Sequence, residues 1–271
     1  MIEAGEHRPT RADRDPAARA AGSSVDRGLL RWTAVLFAVD LATWLMAWMW
    51  LDLSQVVSFL AAWAALSLLA VCALYLVTAF GSRAGPLLKG ERYALLQPVF
   101  WPFRGVSQVI YALARKGRRE EVVCEVMPGV YLGPRLFDAE RAKLEGRDVT
   151  VVVDLTSELP TSRTYSREPF VRVSHALLDR TFPRDADLDM LVDVVMGHLR
   201  DGRKVFIHCA FGRGRSALLA CAVVYAAGYA ASADEALARV KAARPAVSIR
   251  RDGVDVLRRF AARRPSVSAR G

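Results

Sequence analysis

Cys209 and Arg215 have the residue types and the spacing of a nucleophile and an oxyanion clamp. They are separated by five residues, two of them glycine, and they lie between an apolar run rich in branched side chains and an apolar helical run. Successive backbone N–H groups in such a loop form a concave anion site, and the N-terminus of the following helix adds positive potential. The same donors stabilise a thiolate, which is the nucleophilic form of cysteine. The loop is therefore expected to accept a tetrahedral dianion such as a phosphoryl group.

The remaining residues of the loop suit the same ligand. Arg215 can fold back and bind two phosphoryl oxygens at once, a geometry that lysine does not reproduce. Glycine permits close approach of the backbone to the anion. The predicted phosphate-binding residues are Ala210, Phe211, Gly212, Arg213, Gly214 and Arg215.

Short strand and helix patterns alternate from Glu121 onward and must position this loop. Branched and aromatic content predicts five strands, at Val122–Val126, Val130–Leu132, Val149–Leu155, Phe170–Val173 and Lys204–His208. Helical spacing of apolar residues predicts four helices, near residues 188–199, 217–225, 232–243 and 254–262. Ser232 and Glu235 form a capping-box pattern at the start of the third helix. This alternation predicts an α/β fold, with a largely parallel central sheet flanked by helices.

The stretch from His208 to Ser216 resembles the Cys-x5-Arg-Ser signature of the cysteine-based protein tyrosine phosphatases. The resemblance implies that Cys209 forms a phosphocysteine intermediate and that Arg215 stabilises the transition state. It also implies that Ser216 assists loss of the thiolate and that His208 orients the loop through hydrogen bonds. No metal or organic cofactor is expected, because the loop supplies both the nucleophile and the charge stabilisation.

A two-step displacement also needs an acid for the leaving oxygen and a base for the attacking water. Asp179 follows a predicted strand, and its place before Cys209 resembles the acid position of the dual-specificity branch of this superfamily. Asp185 is the second candidate, although it also suits the first turn of a helix. The stretches 128–133 and 152–156 resemble the early strands of the same branch.

The substrate class stays open between phosphorylated proteins and phospholipids. A basic residue at Arg213 resembles the loop of lipid-acting members, which include phosphoinositide and phosphatidylglycerophosphate phosphatases. Ala210 departs from those members, which carry lysine at that position. Dual-specificity protein phosphatase activity is the general expectation, a phospholipid phosphatase is the alternative, and a catalytically inactive phosphate-binding module is the third hypothesis.

Two long apolar runs precede the catalytic pattern. Trp32 to Leu51 and Val56 to Phe80 each reach the roughly 20 residues that cross a bilayer as a helix, with only a short linker between them. The linker contains neither Lys nor Arg, whereas basic residues flank both runs, so both termini and the catalytic domain are predicted to be cytoplasmic. Asp40, inside the first run, should face the partner helix or another protomer.

The net charge of +10 is concentrated beside the apolar runs, which favours a bilayer over nucleic acid as the partner. Residues 1–28 have too few large apolar side chains to bury a core, and disorder is expected there. Four scattered cysteines suit a reduced compartment, and Cys124 is open to a packing role or a redox role. The oligomeric state is left undetermined. The predicted organisation is a disordered basic N-terminus at 1–28, a transmembrane hairpin at 29–80, an amphipathic linker at 81–119, a catalytic domain at 120–265 and a tail at 266–271.

The linker carries apolar residues at helical spacing beside Arg104, Arg115 and Lys116, which suits a helix in the membrane interface or one packed on the catalytic domain. Three prolines, Pro86, Pro98 and Pro102, are expected to prevent one continuous helix over this segment.

Overall fold

The computed structural model describes residues 27–49, 55–82, 84–89, 94–116, 120–165 and 168–264. The N-terminus up to residue 26, the turn between the two apolar runs and the C-terminal tail lie outside these residues, so the expectations about them stay predictions.

The two apolar runs form long helices, α1 (Arg27–Met49) and α2 (Gln55–Ala79). Both are long and apolar enough to cross a membrane, and most of their side chains face outward. Outward-facing apolar side chains are costly in water and favourable in lipid, so this surface is consistent with a transmembrane hairpin. Asp40 of α1 is buried instead of facing outward with the apolar side chains of the hairpin.

The segment after α2 contains two helices, α3 (Gly85–Lys89) and α4 (Gln97–Lys116), with a 3-10 turn at Ala94–Leu96 before α4. The expectation that the prolines divide the segment is right for its first part, but Pro102 lies inside α4. Pro102 has no N–H for the carbonyl of Pro98, and the Trp63 indole of α2 donates to that carbonyl at 3.0 Å. The backbone N–H of Phe103 donates to Ser67 of α2 at 3.3 Å. Contacts with α2 thus replace the hydrogen bonds that a proline disrupts.

The part of the chain from residue 120 onward contains a five-stranded sheet with strand order β1-β2-β5-β3-β4. The strands are β1 (Cys124–Met127), β2 (Val130–Pro134), β3 (Val149–Thr156), β4 (Val171–Leu177) and β5 (Lys204–Cys209). β1 pairs with β2 antiparallel, and the other pairings are parallel. This confirms the predicted largely parallel sheet, with strand bounds shifted by a few residues.

Helices flank the sheet, namely α5 (Ala142–Glu145), α6 (Asp185–Arg200), α7 (Arg215–Ala226), α8 (Ala233–Ala243) and α9 (Arg251–Arg263). The larger core lies between the sheet and α6 to α9, and a smaller core covers the opposite face. Every residue of α7 is buried, so this helix and the central strand β5 hold the loop between them rigidly. Ser232 caps α8 as predicted, since its hydroxyl accepts from the N–H of Glu235 at 3.1 Å.

Candidate active site

The loop from Cys209 to Gly214 joins the end of β5 to the start of α7, and donors outside the loop bind its carbonyl groups. The backbone N–H of Arg135 donates to the carbonyls of Cys209 and Ala210. The guanidinium of Arg244 donates to the carbonyls of Phe211 and Gly212. The carbonyl of Arg213 accepts from the N–H of Ser248, and the carbonyl of Gly214 accepts from the N–H of Leu218. A peptide unit directs its N–H opposite to its C=O. Carbonyls that all face the surrounding protein therefore leave a concave row of N–H groups, which is an anion site.

Two glycines allow the loop to pack against the end of β2. Gly212 has a φ of +67°, and a Cβ at this position would lie 2.3 Å from the carbonyl carbon of Gly133. Gly133 is itself close to the carbonyl oxygen of Val122, which a Cβ would approach to 1.9 Å. Gly212 is therefore required for its backbone conformation and for space, and Gly133 is required for space.

The sulfur of Cys209 is buried at the start of this loop, and Ser216 lies beside it. The Ser216 hydroxyl donates to Cys209 Sγ over 3.3 Å. His208 is fully buried one residue earlier, with its Nδ1 3.4 Å from the carbonyl oxygen of Cys209. Burial lowers the pKa of His208 to about 4, because the nearby Asp154 carboxylate offsets only part of the desolvation. His208 is therefore neutral at physiological pH.

The guanidinium of Arg215 is held by two carboxylates and by backbone carbonyls. Glu158 accepts from both terminal nitrogens, at 2.5 and 2.9 Å, and the carbonyl of Leu177 accepts at 2.7 Å. Asp179 Oδ1 lies 3.2 Å from Nη2. Burial opposes ionisation of both groups, but their attraction outweighs it, so the pKa of Arg215 is raised and that of Glu158 is lowered. Arg215 is thus charged and fixed in direction.

The structure brings Asp179, and not Asp185, to the loop. Asp179 follows β4 and is about half exposed beside Arg215, so it can reach a bound substrate. Asp185 lies in the first turn of α6, where its carboxylate pairs with Arg259 and Arg263. Asp185 therefore lies in a first helical turn, as the alternative interpretation predicted, and its ion pairs give it a structural role.

Arg213 turns away from the concave side of the loop. Its guanidinium pairs with Glu120 at 2.5 Å, and the same carboxylate binds Arg244 at 3.3 Å. The side chain of Arg213 therefore supports the loop from outside, while its backbone N–H remains part of the concave row.

The N-terminal helices reach the site on two sides. Tyr111 of α4 packs against Phe211 and Phe137, with ring centroids 5.4 and 5.5 Å apart, and its hydroxyl bonds to the carbonyl of Arg135. Leu178, next to Asp179, packs in a cluster with residues of α1 and α2. The guanidinium of Arg180 lies 4.4 Å from the ring centre of Trp32 in α1. The mouth of the site therefore borders the apolar helices.

Several residues of the site were missed by the sequence reasoning. Glu158 lies two residues after the end of β3. The carboxyl ends of parallel strands meet at one edge of the sheet, so its position was a usable signal. Arg244, Tyr111, Asp154 and Lys89 reach the site only through contacts distant in sequence. Cys124 lies on β1, where Arg244 Nη1 approaches its sulfur at 3.6 Å. In the described part of the chain, no group of three or more His, Cys, Asp or Glu side chains is placed to hold a metal ion.

Solved structures with a similar fold cover about half of this chain. Tk-PTP in its active form matches at 26% identity and a TM-score of 0.48, over 52% of this chain and 97% of that one. PTPMT1 in complex with PI(5)P matches at 22% identity and a TM-score of 0.49, over 55% of this chain and 99% of that one. Human DUSP28 matches at 19% identity and a TM-score of 0.48, over 53% of this chain and 95% of that one. No curated protein matches the chain in sequence.

The family comparison covers the sheet from β2 onward, the loop and nearly all of α9. Residues 130–261 match the family model described as "Dual specificity phosphatase, catalytic domain". The five-stranded sheet with flanking helices is the fold of that family. Residues 130–261 are thus the catalytic domain of a cysteine-based phosphoric monoester hydrolase of the dual-specificity phosphatase type.

Proposed function

We propose that this chain is a membrane-anchored phosphatase that hydrolyses phosphate monoesters through a phosphocysteine intermediate on Cys209. One observation supports this most directly: the sulfur of Cys209 begins a loop whose carbonyls are all bound from outside, and Arg215 ends it. The loop thus offers a row of N–H donors and a fixed guanidinium to one phosphoryl group. Such preorganised donors stabilise charge that develops in a transition state.

In the first step the Cys209 thiolate attacks phosphorus, a sulfur–phosphorus bond forms, and the bond to the leaving oxygen breaks. Asp179 donates its proton to that oxygen, so that the alcohol leaves neutral. Asp179 is tied to Arg215 by one contact and is half exposed, so a bound phosphoryl group can take over that contact and free the carboxyl group.

In the second step water attacks phosphorus and the sulfur–phosphorus bond breaks. The Asp179 carboxylate accepts the proton of the water, which returns the acid to its starting form. The Ser216 hydroxyl, 3.3 Å from Cys209 Sγ, donates to the departing thiolate. Inorganic phosphate then leaves the loop.

The membrane anchor in this proposal is the hairpin of α1 and α2, with both termini and the catalytic domain on the cytoplasmic side. The proposed organisation keeps 29–80 as the hairpin, 81–119 as the linker and 120–265 as the catalytic domain. The connecting turn contains neither Lys nor Arg, and basic residues lie on the other side of both helices; this distribution supports the orientation.

Dual-specificity protein phosphatase activity is the general form of the proposal, and one observation favours a phospholipid as a second candidate substrate. The loop that carries Asp179 packs against the ends of α1 and α2 through Leu178 and Arg180. A site whose mouth borders apolar helices receives lipid headgroups at high local concentration. A phosphorylated membrane protein reaches the same mouth, so the two classes must be separated by experiment.

The mechanism is tested with the full chain in detergent or nanodiscs and para-nitrophenyl phosphate as substrate. Cys209→Ser should abolish turnover, since the serine hydroxyl is not ionised at neutral pH. Asp179→Asn should slow hydrolysis by about 10²-fold or more for esters with poor leaving groups, the usual scale of general acid catalysis, and much less for para-nitrophenyl phosphate. Turnover that persists in Cys209→Ser would contradict the mechanism. A wild-type chain that binds phosphate without turnover would support an inactive phosphate-binding module.

The substrate class is tested by phosphate release from phosphotyrosyl peptides, phosphothreonyl peptides and phosphorylated lipids in mixed vesicles. A preference in kcat/KM of about 10²-fold or more, equivalent to about 2.7 kcal/mol in transition-state binding, assigns the class. Faster release from the peptides would reject the phospholipid candidate.

A further inference from the structure

Lys89, the last residue of α3, is buried inside the catalytic part of the protein. Its Nζ lies 2.5 Å from Asp154 Oδ2 and 2.7 Å from the carbonyl oxygen of Thr156. The side chains of Lys89 and Asp154 are 1% and 2% exposed. A lysine is buried only where charge and hydrogen bonds compensate the loss of water. A residue between the membrane helices and the sheet thus supplies a cation to the interior of the catalytic domain.

Asp154 connects this cation to the loop from Cys209 to Gly214, hereafter the phosphate loop. It stands opposite His208 in the parallel pairing of β3 and β5. One of its oxygens accepts from the N–H of Thr156 at 2.9 Å and lies 3.7 Å from His208 Nε2. The other nitrogen of His208 contacts the carbonyl of Cys209 at 3.4 Å. Lys89, Asp154 and His208 therefore form a buried row that ends at the nucleophile, in which Asp154 acts on His208 through its charge rather than through a hydrogen bond.

A second contact fixes α3 in the same place. A Cβ on Gly85 would lie 2.0 Å from the carbonyl oxygen of Ala176, so the backbones of α3 and β4 are in direct contact. β4 is the edge strand of the sheet, and its carbonyl at Leu177 accepts from Arg215 at 2.7 Å. Asp179 follows the same strand. The short helix α3 therefore supports the strand that leads to the proposed acid.

We infer that Lys89 is a positioning residue for the proposed reaction: it fixes the Asp154 carboxylate, which orients His208 and, through it, the start of the phosphate loop. The inference rests on the proposed function of Cys209. It makes the segment between the membrane and the sheet a part of the catalytic apparatus rather than a spacer.

The groups around His208 predict a distinctive effect of removing Lys89. His208 faces Asp154 from β3, Lys89 from α3, Arg135 from the loop after β2, and the ring of Tyr165. Burial, Lys89 and Arg135 lower the pKa of His208, and Asp154 raises it. Without Lys89, the Asp154 charge is left facing His208, so the pKa of His208 must rise. Protonated His208 then disturbs the loop at a higher pH than in the wild type.

The test measures kcat, KM and the pH–rate profile of the full chain carrying Lys89→Met, with para-nitrophenyl phosphate as substrate. We expect kcat to fall about tenfold or more and KM to change less than about threefold, because binding contacts remain while alignment is lost. We also expect the acid side of the profile to move to higher pH. A loss of stability alone would not move this ionisation.

Lys89→Met leaves a buried carboxylate unpaired, and this change can prevent folding. If Lys89→Met does not fold, the double variant Lys89→Met/Asp154→Leu is measured in its place, because it removes both buried charges. It should also lower kcat, because His208 loses its orienting carboxylate, but it should not show the shift of the acid side. Gly105→Ala is the control for a substitution in the same segment, since nothing lies within 4 Å of a Cβ there.

Folded Lys89→Met with wild-type kcat and an unchanged profile would overturn the inference, as would wild-type kcat in the double variant. The proposed function fails separately, if Cys209→Ser retains turnover. Loss of turnover in Cys209→Ser together with normal turnover in both Lys89 variants rejects only the role of Lys89.

Discussion

Arg215 depends on a residue that lies outside the Cys-x5-Arg motif. Glu158 binds both terminal nitrogens of its guanidinium, and its side chain is 11% exposed. A bidentate pair fixes the plane of a guanidinium as well as its position. In the proposed function, the direction from which Arg215 meets a phosphoryl group is therefore set by a residue that follows β3.

Glu158→Gln should lower kcat/KM by about tenfold or more, which corresponds to about 1.4 kcal/mol of transition-state stabilisation. The amide keeps the shape of the side chain but can accept through only one atom, so the guanidinium is held less firmly. Steady-state kinetics with para-nitrophenyl phosphate measure the effect. Glu145→Gln, at an exposed pair with Arg141, should leave kcat/KM unchanged. Equal kinetics in both variants would show that Glu158 does not orient Arg215.

The buried neutral His208 predicts a loss of stability in mild acid. Its pKa is about 4 in the folded protein, against about 6.5 in the unfolded chain. Between these values the unfolded chain binds a proton that the folded protein excludes, so stability is complete above pH 6.5 and falls as the pH approaches 4. The shift corresponds to roughly 3 kcal/mol. Asp154 and Glu158 have lowered pKa values, so each stabilises the folded protein while it is ionised. This stabilisation is lost only as the pH falls below the ordinary carboxyl range, which lies below the window set by His208.

Thermal unfolding of the full chain in detergent at pH 7 and pH 5 measures this effect. The Tm should fall at pH 5 in the wild type and in His198→Asn, which changes an exposed histidine. In His208→Asn the fall should be much smaller. A wild-type Tm that is the same at both pH values would be inconsistent with a neutral, buried His208.

At the scale of elements, the loop is defined by its contact with the end of β2. The left-handed conformation of Gly212 and its approach to Gly133 leave no room for a side chain. Parallel pairing of β2 with β5 brings Pro134 opposite Cys209 and creates this contact. The shape of the anion site therefore depends on two neighbouring strands.

Gly212→Ala should lower kcat by about 10²-fold or more, because misplacement of a reacting group by about 1 Å costs this much. Gly197→Ala in α6 is the matched control, since the nearest atom to its Cβ is a flexible arginine nitrogen at 4.0 Å. The control should keep wild-type kcat and gain slightly in stability from the better helix propensity of alanine. Wild-type turnover in Gly212→Ala would mean that the loop tolerates a displaced backbone.

Helix α4 has one packed face and one exposed apolar face. Tyr111 on its inner face packs on the phosphate loop, whereas its outer face exposes apolar side chains at Trp101, Val106, Val109, Ile110 and Leu113. This outer face continues the apolar surface of α1 and α2. Both arrangements that the sequence left open, a helix in the membrane interface and a helix packed on the catalytic domain, are therefore compatible with the structure.

For the whole molecule, the proposed topology puts the turn between α1 and α2 on the opposite side of the membrane from the catalytic domain. All four native cysteines are buried, and the labelled chains also carry Cys209→Ser, because the proposed nucleophile would itself react with a maleimide. An introduced cysteine can then be labelled selectively with a membrane-impermeant maleimide. Ser54→Cys should be labelled in intact cells, and Ser266→Cys only after permeabilisation. The chain with Cys209→Ser alone is the control for background labelling. The reverse pattern would contradict cytoplasmic termini.

Local patterns in the sequence predict most of the fold. Central strands read as continuous apolar runs, such as Val151 to Val153 and Val205 to Ile207, because both faces of a parallel sheet are buried. The loop between β5 and α7 is recognisable because its nucleophile, glycines and arginine are consecutive in the chain, so their spacing survives without knowledge of the tertiary structure. The same holds for the two long apolar helices.

Long-range contacts decide the rest. Lys89 meets Asp154, and Arg244 meets Glu120, across more than sixty residues. These side chains come into contact only when the chain has folded and the sheet edge and α3 are in place. Pro102 was expected to break a helix, and contacts from α2 compensate for it. The residues that carry the proposed chemistry are neighbours in the chain, so the sequence alone identifies them. A buried charge or an unpaired carbonyl is compensated by groups that are distant in sequence, so only the tertiary structure shows which groups these are.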